Sequence, residues 1–139
     1  MTTPVAPSVL FVCVKNGGKS QMAAGLMRSI AGDRVTADSA GTAPGAAINA
    51  LSAQSLLEVG VDITDQVPKA ITPQMIENSD LVVTLGREVR LDPVPGARFE
   101  NWDTDEPSER GIDGIKRMRL IRDDINQRVA TLARQLTVF

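Results

Sequence analysis

The sequence predicts an α/β protein in which helices cover both sides of a parallel sheet. Apolar, β-prone segments alternate with helical patterns along the whole chain, and no linker or internal repeat interrupts them. Two of the strand candidates are apolar throughout, as expected for strands buried on both faces. The chain has 139 residues, 42% of them apolar, which suits one domain with a buried core. We therefore predict a single three-layer α/β/α domain over residues 1–139, built on a four-stranded parallel sheet.

The strand candidates differ in how apolar they are. The first and third candidates consist almost entirely of Val, Leu and Phe, whereas the fourth has a smaller share of apolar residues. Ligands of such sheets bind beyond the carboxyl ends of the strands, where the strand order reverses. The first strand and the loop that follows it are therefore the natural place for a site. The predicted strands are 8–12, 34–38, 81–85 and 97–102.

Apolar residues at three- and four-residue spacing predict the helices. The short third helix begins at Thr72, an N-cap residue that Pro73 follows at the first helical position. The last helix has the clearest pattern, because charged residues fill the faces that its apolar stripe leaves free. The predicted helices cover 20–31, 48–59, 72–76 and 112–136.

Composition excludes several kinds of chemistry. The chain has no His, which excludes an imidazole base and most zinc sites. Cys13 is the only cysteine, so neither an intramolecular disulfide nor a Cys-rich metal cluster can form. The formal net charge is −2 with both signs scattered, which predicts no nucleic-acid surface. The sequence shows neither the pattern of a secretory leader nor an apolar run long enough to span a bilayer, so we expect a cytoplasmic protein without a membrane partner. From the residue types we also expect no metal site.

A glycine-bearing loop between the first strand and the first helix carries the candidate site. Backbone N–H groups in such a loop can surround an anion, and the helix N-terminus adds positive potential. That potential favours the Cys13 thiolate, to which Ser20 could donate a hydrogen bond. Cys13 is then a candidate nucleophile toward a tetrahedral oxyanion; otherwise it is a small buried apolar residue. The candidate oxyanion-binding residues are Val14, Lys15, Asn16, Gly17, Gly18, Lys19 and Ser20.

The same segment also resembles a nucleotide-binding loop, Gly-x-x-x-x-Gly-Lys-Ser/Thr, with Cys13 in place of the first glycine. That glycine permits the tight backbone geometry of the nucleotide loop. No Asp at a second strand end suits Mg²⁺, and the chain is short for such a domain. A nucleotide hydrolase is therefore the weaker interpretation.

Cys-x5-Arg-Ser after the first strand is the signature of the low-molecular-weight protein tyrosine phosphatases and of the arsenate reductases that share their fold. This chain resembles the arsenate reductase branch from about residue 9 to residue 136. Several separated motifs carry the resemblance, which makes it more specific than the Cys loop alone. They are Asn16, residues 20–23, 39–41 and 79–85, and Trp102 shortly before Asp105 and Pro107.

The resemblance implies that Asp105 is the catalytic acid, with Asp103 as the neighbouring alternative. Acidic loop residues before a proline are also common as solvated turn formers. Asn16 would tether the loop or touch Cys13, or serve as a left-handed turn residue. Arg87 and Arg90, at the same sheet edge, could attract an anionic thiol or simply be solvated.

The sequence also departs from the family pattern. The loop Arg is Lys19 here, which keeps a charge but loses the bidentate fork. Thioredoxin-coupled arsenate reductases carry a resolving Cys at a position that is Gly86 here. Some members have a cation site that uses an acidic residue, and the corresponding position in this chain is Ala24. The segment 105–109 lacks the tyrosines that follow the Asp-Pro of the phosphatases, which argues against phosphotyrosine.

One thiol per chain decides which mechanism the resemblance implies. Reducing As(V) to As(III) takes two electrons, which one thiol cannot supply. The chain therefore resembles the arsenate–mycothiol transferases, which pass arsenate to a low-molecular-weight thiol without a tightly bound cofactor. A mycoredoxin- or glutaredoxin-like protein then releases arsenite. Either Cys13 attacks arsenic while protonated Asp105 assists the departure of hydroxide, or the small thiol attacks the bound arsenate directly.

Two other functions remain open at this stage. The first is a phosphatase that acts on small phosphate esters, because arsenate and phosphate share charge and shape. The second is a non-catalytic oxyanion-binding protein that lost its chemistry when Lys19 replaced the loop Arg.

Overall fold

A four-stranded, fully parallel sheet forms the centre of the computed structural model, which describes residues 6–92 and 94–137. Its strands are β1 Ser8–Cys13, β2 Thr36–Gly41, β3 Leu81–Leu85 and β4 Phe99–Trp102. Their order is β2-β1-β3-β4, so the chain winds to one side of β1 and then to the other. The strand order thus reverses at β1, and the predicted four-stranded parallel sheet is confirmed.

The helices are α1 Lys19–Ala31, α2 Ala50–Leu57, α3 Pro73–Glu77 and α4 Gly114–Thr137. The predicted start of α3 is confirmed, because the Thr72 side chain accepts a hydrogen bond from the Met75 amide and Pro73 is the first helical residue. Single 3-10 turns at Gly32–Arg34 and Pro107–Arg110 were not predicted. Within the described residues, every helix is too short or too polar to cross a membrane.

Alternating side chains of the sheet fill two unequal cores. Phe11 and Val83 face α1, α2 and α4, and the Phe11 and Trp102 rings lie 5.7 Å apart on this side. Leu10 and Val82 point to the opposite face, where α3 forms a smaller cover. The predicted three-layer α/β/α architecture is therefore confirmed, with three helices on one face and one short helix on the other.

The second strand lies further along the chain than predicted. Arg34 closes a 3-10 turn, and β2 pairs with β1 from Ser8↔Thr36 to Cys13↔Gly41. Pairing with β1 thus overrides the local pattern, which predicted that the strand ends at residue 38. The shift brings the end of β2 beside Cys13. The fourth strand is also shorter than predicted and begins at Phe99.

Candidate active site

Cys13 is the last residue of β1, at the point where the strand order reverses. Loop 14–18 leads from it into α1, whose first turn carries no acidic residue that would neutralise its positive end. The Cys13 side chain is buried, with 7% of its surface exposed. The fold therefore places a lone thiol above the N-terminus of a 13-residue helix, where an anion is stabilised.

The peptide carbonyls of the loop are anchored to the segment that follows β2. The carbonyls of Cys13, Val14, Lys15 and Gly17 accept from the amides of Thr42, Ala43, Gly45 and Asn49 at 2.7–3.1 Å. Since N–H and C=O of one peptide point in opposite directions, the N–H groups of these peptides point away from the segment that anchors their carbonyls. The Asn16 amide shows this, because it donates to Cys13 Sγ at 3.3 Å. The loop therefore presents N–H groups to the space where an anion would bind.

Two glycines let the chain approach closely enough for these bonds. A Cβ on Gly17 would come within 2.9 Å of the Ala47 carbonyl oxygen, and one on Gly41 within 2.6 Å of the Val14 carbonyl oxygen. Both contacts are backbone contacts that cannot move aside easily. Glycine is therefore required at both positions by close packing of the backbone.

Asn16 holds the loop in shape through its buried side chain. Its backbone has φ +52°, in the left-handed region that Asn tolerates better than most residues. Its Oδ1 accepts from the Lys69 amide at 3.0 Å and from Gln21 Nε2 at 3.1 Å. Its Nδ2 donates to Ser20 Oγ at 2.7 Å. The three roles considered for Asn16, the tether, the contact with Cys13 and the left-handed turn, are thus combined in one residue.

Two donors converge on the sulfur. Ser20 Oγ lies 2.9 Å from Cys13 Sγ and already accepts from Asn16 Nδ2, which leaves its hydroxyl hydrogen free to point at the sulfur. The Asn16 amide is the second donor. Both contacts hold the sulfur at the base of the loop, where a nucleophile toward a loop-bound oxyanion would have to lie.

A cleft of about 760 Å³ opens above Cys13 and the loop; we call it the Cys13 cleft. One wall is the segment 43–47, made of Ala, Pro and Gly, and the other is α4 with Arg117, Met118 and Ile121. Lys15, Lys19 and Glu88 also line the cleft. It is much larger than one oxyanion, so a second small molecule has room beside the anion.

Lys19 does not point freely into this cleft. Its ammonium pairs with the Glu106 carboxylate, whose other oxygen lies 3.5 Å from Arg117 Nη2. Lys19 and Arg117 are both partly buried, with 14% and 31% of their side chains exposed. The cation that the sequence assigned to the oxyanion thus pairs with the Glu106 carboxylate.

Asp105, the predicted catalytic acid, is paired with Arg110. Its two carboxylate oxygens accept from Arg110 at 2.7 and 3.1 Å. The Arg110 side-chain hydrogen bonds hold the pKa of Asp105 below its ordinary value, although partial burial acts in the opposite direction. A protonated acid is therefore disfavoured at this position, and Asp105 is absent from the lining of the Cys13 cleft.

The alternative acid and the two arginines after β3 are also paired. Asp103 binds Arg87 at 2.8 Å, and Arg87 reaches Glu109 at 3.5 Å. Arg90 donates to the Arg87 carbonyl at 2.9 Å. Asp103 and the two arginines line an opening at the β3–β4 edge and not the Cys13 cleft.

Sequence reasoning missed Glu106 and Arg117. Glu106 directly precedes Pro107, which is the position of the acid in the Asp-Pro pair of the resembling phosphatases. That adjacency was a usable signal for Glu106, which the sequence analysis did not consider. For Arg117 the sequence offered no signal, because its place in the cleft depends on how α4 packs.

The chain belongs to the low molecular weight phosphotyrosine protein phosphatase family, whose sequence pattern matches residues 8–138. Among its relatives is an arsenate reductase of Halalkalibacterium halodurans, 35% identical over 131 residues, which cover 90% of this chain and 94% of the relative.

Solved structures agree with this assignment. A thioredoxin-dependent arsenate reductase of Corynebacterium glutamicum superposes with a TM-score of 0.80 at 33% identity. The match covers 97% of this chain, which spans only 64% of that longer one. An arsenate reductase in a phosphate-binding state superposes with a TM-score of 0.82 at 27% identity, over 94% and 99% of the two chains. The low-molecular-weight phosphatase-like fold predicted from the sequence is therefore confirmed.

Proposed function

We propose that this protein is an arsenate reductase that borrows its second thiol from a small molecule and so acts as an arsenate–mycothiol transferase. The observation that carries the proposal is a lone, hydrogen-bonded Cys13 at the base of an anion-binding loop. Arsenate reductases among the relatives and solved structures support arsenate as the substrate.

The place of a resolving cysteine supports an external thiol. Gly86, which directly follows β3, has φ +100°, a conformation that side chains rarely adopt. The Glu88 carboxylate oxygens lie 3.0 Å from where a Cβ of Gly86 would be. The surroundings of position 86 are thus adapted to glycine, and the second thiol must come from outside the chain.

In the proposed reaction, arsenate binds the loop amides and Lys19. The Cys13 thiolate attacks arsenic, an S–As bond forms, an As–O bond breaks, and the oxygen leaves as water after taking a proton. The small thiol then displaces Cys13 and leaves as a thiol–arsenate adduct, still As(V). A mycoredoxin- or glutaredoxin-like thiol attacks the adduct sulfur, and arsenite departs with the electron pair while a mixed disulfide forms.

The proton in the first step needs a donor near the anion. We propose Glu106 in place of Asp105, because Glu106 contacts Lys19, which lines the Cys13 cleft, whereas Asp105 is bound by Arg110 and does not line that cleft. An oxyanion that takes over Lys19 would leave the Glu106 carboxylate beside it, where it would take a proton from water and pass it to the departing oxygen.

The charges near the cleft support a neutral thiol. A smaller adjoining cleft shares Lys19, Glu88 and Arg117 with the Cys13 cleft, and four carboxylates and three cations line it. An uncharged, hydroxyl-rich thiol such as mycothiol would meet less repulsion there than glutathione, which carries two carboxylates. A thiol-dependent reaction also suits the reducing cytoplasm that the sequence predicts.

Thiol-dependent turnover tests the proposal. Purified protein is incubated with arsenate, a redoxin and one of several thiols, and arsenite release is measured. We expect release with mycothiol, much less with glutathione, and loss in Cys13→Ser. Full activity of Cys13→Ser with mycothiol would rule out the covalent intermediate and leave direct attack by the small thiol.

The same protein should be assayed for hydrolysis of p-nitrophenyl phosphate, because the family match also covers phosphatases. Hydrolysis without thiol-dependent arsenate reduction would identify a phosphatase of small esters. Neither activity, together with retained oxyanion binding, would identify a binding protein.

A further inference from the structure

Arg117 lies in the first turns of α4 and lines the Cys13 cleft together with Lys19. The chain lacks the loop arginine of its family, and Lys19 supplies a point charge without a planar fork. A second cation that reaches the same space from another element could compensate for that loss. Arg117 is the arginine that the structure places in the lining of this cleft.

The contacts of Glu106 indicate how these two cations are spaced. One carboxylate, that of Glu106, contacts Lys19 through Oε1 and Arg117 through Oε2, the latter at 3.5 Å. Lys19 and Arg117 are therefore positioned to hold two oxygens of one anion. A tetrahedral oxyanion offers a similar pair of oxygens along each of its edges.

The charges in the cleft favour replacement of the Glu106 carboxylate by an oxyanion. Lys15, Lys19 and Arg117 line the Cys13 cleft against one carboxylate, Glu88, while Glu106 lies in the adjoining cleft. An excess of positive charge in a concave site attracts anions. A dianion on the loop would replace Glu106 as the shared partner of the two cations.

We propose that Arg117 is a second oxyanion-binding residue, which supplies from α4 the guanidinium fork that the loop has lost. This inference rests on the proposed function in that the Cys13 loop must bind an oxyanion. It does not depend on which thiol follows or on whether turnover occurs.

Titration calorimetry with inorganic arsenate and, separately, inorganic phosphate tests the proposal. We expect Arg117→Gln to weaken the Kd of both anions roughly tenfold, as for loss of a charge-assisted bidentate contact. Arg117→Lys, which keeps the charge, should have a Kd between those of the wild-type protein and Arg117→Gln. The matched control is Lys116→Gln, which removes the same charge from an exposed neighbour outside the cleft and should change Kd by less than roughly twofold.

A rescue experiment separates a specific contact from general attraction. Because Arg117 is proposed to replace the missing loop arginine, Lys19→Arg should restore most of the affinity that Arg117→Gln loses. Equal thermal unfolding temperatures of the variants would show that α4 still folds.

Arg117→Gln that binds like Lys116→Gln, or a double variant that stays as weak as Arg117→Gln, would overturn the proposal. Failure of the proposed function gives a different result, since the wild-type protein would then bind arsenate without reducing it, or not bind it at all.

Discussion

Asn16 combines a backbone and a side-chain role at the centre of the anion loop. The backbone turns through φ +52°, which aims the Asn16 amide at Cys13 Sγ. The side chain ties this turn to Ser20 in α1 and to the Lys69 amide. A single residue thus fixes the loop, the hydroxyl that contacts the sulfur, and the segment that leads to α3.

Replacing Asn16 separates the two roles. Asn16→Ala and Asn16→Gly both leave the Lys69 amide without its acceptor and Ser20 without a donor, which should cost about 1–3 kcal/mol of unfolding free energy. Alanine should cost about 1 kcal/mol more than glycine, because only glycine adopts positive φ freely.

Urea unfolding and calorimetry with arsenate measure these effects. Both variants should bind arsenate weakly, since the Asn16 amide would no longer be held toward the sulfur. If Asn16→Ala is as stable as Asn16→Gly, the backbone turn stores no strain.

At the scale of elements, an ion-pair cluster joins the end of α2 to α4, and these two helices carry parts of the cleft wall. Glu58 accepts from Arg119 at 2.6 and 2.9 Å and from Arg122 at 2.9 Å. Chiefly through the Arg119 side-chain hydrogen bonds, this lowers the pKa of Glu58 to about 2 from its ordinary 4.5. Because the folded-state pKa lies below the unfolded one, the contribution of Glu58 is present above about pH 4.5 and is lost as pH falls toward 2.

Glu58→Gln should therefore lower the urea midpoint at neutral pH and lower it by clearly less at about pH 3, which lies within the interval over which the wild-type contribution is lost. Glu77→Gln is the matched control, since Glu77 is exposed and forms no ion pair within the described residues. A Glu58→Gln deficit that is equally large at both pH values would contradict this account.

The sequence predicted those elements whose signal is local. The apolar runs of β1 and β3, the Thr72–Pro73 start of α3 and the stripe of α4 all reflect burial that neighbours in sequence share. The register of β2 was not predictable, because pairing with β1 decides it. The ion pair between Lys19 and Glu106 spans 87 positions and depends on how the loop after β4 folds back. The sequence therefore located the nucleophile and its loop but not the residues that reach the loop from elsewhere.

At the scale of the whole molecule, the parallel sheet brings two distant loops to one edge. Cys13 and Lys19 flank the loop after β1, and the loop after β4 carries Glu106. Their meeting pairs Lys19, the cation proposed to bind the oxyanion, with the Glu106 carboxylate. Under the proposed function, Glu106 competes with the oxyanion for Lys19.

Removing this competitor should strengthen binding. In Glu106→Gln, Lys19 no longer has to leave a carboxylate, and we expect arsenate to bind roughly three- to tenfold more tightly. Glu109→Gln is the control, because Glu109 contacts Arg87 and not Lys19. Titration calorimetry distinguishes the outcomes: weaker binding in Glu106→Gln would mean that Glu106 orients Lys19 toward the anion.

The anchored carbonyls of the Cys13 loop have a consequence for selectivity inside a cell. Peptide dipoles recognise the charge and the tetrahedral shape of a bound anion, and arsenate and phosphate have the same charge and shape. Discrimination between arsenic and phosphorus must then fall to the sulfur, after docking, through the rate at which it attacks the central atom. Phosphate in the cell would bind reversibly to the Cys13 loop, and the rate of arsenate reduction would depend on the ratio of the two anions rather than on the arsenate concentration alone.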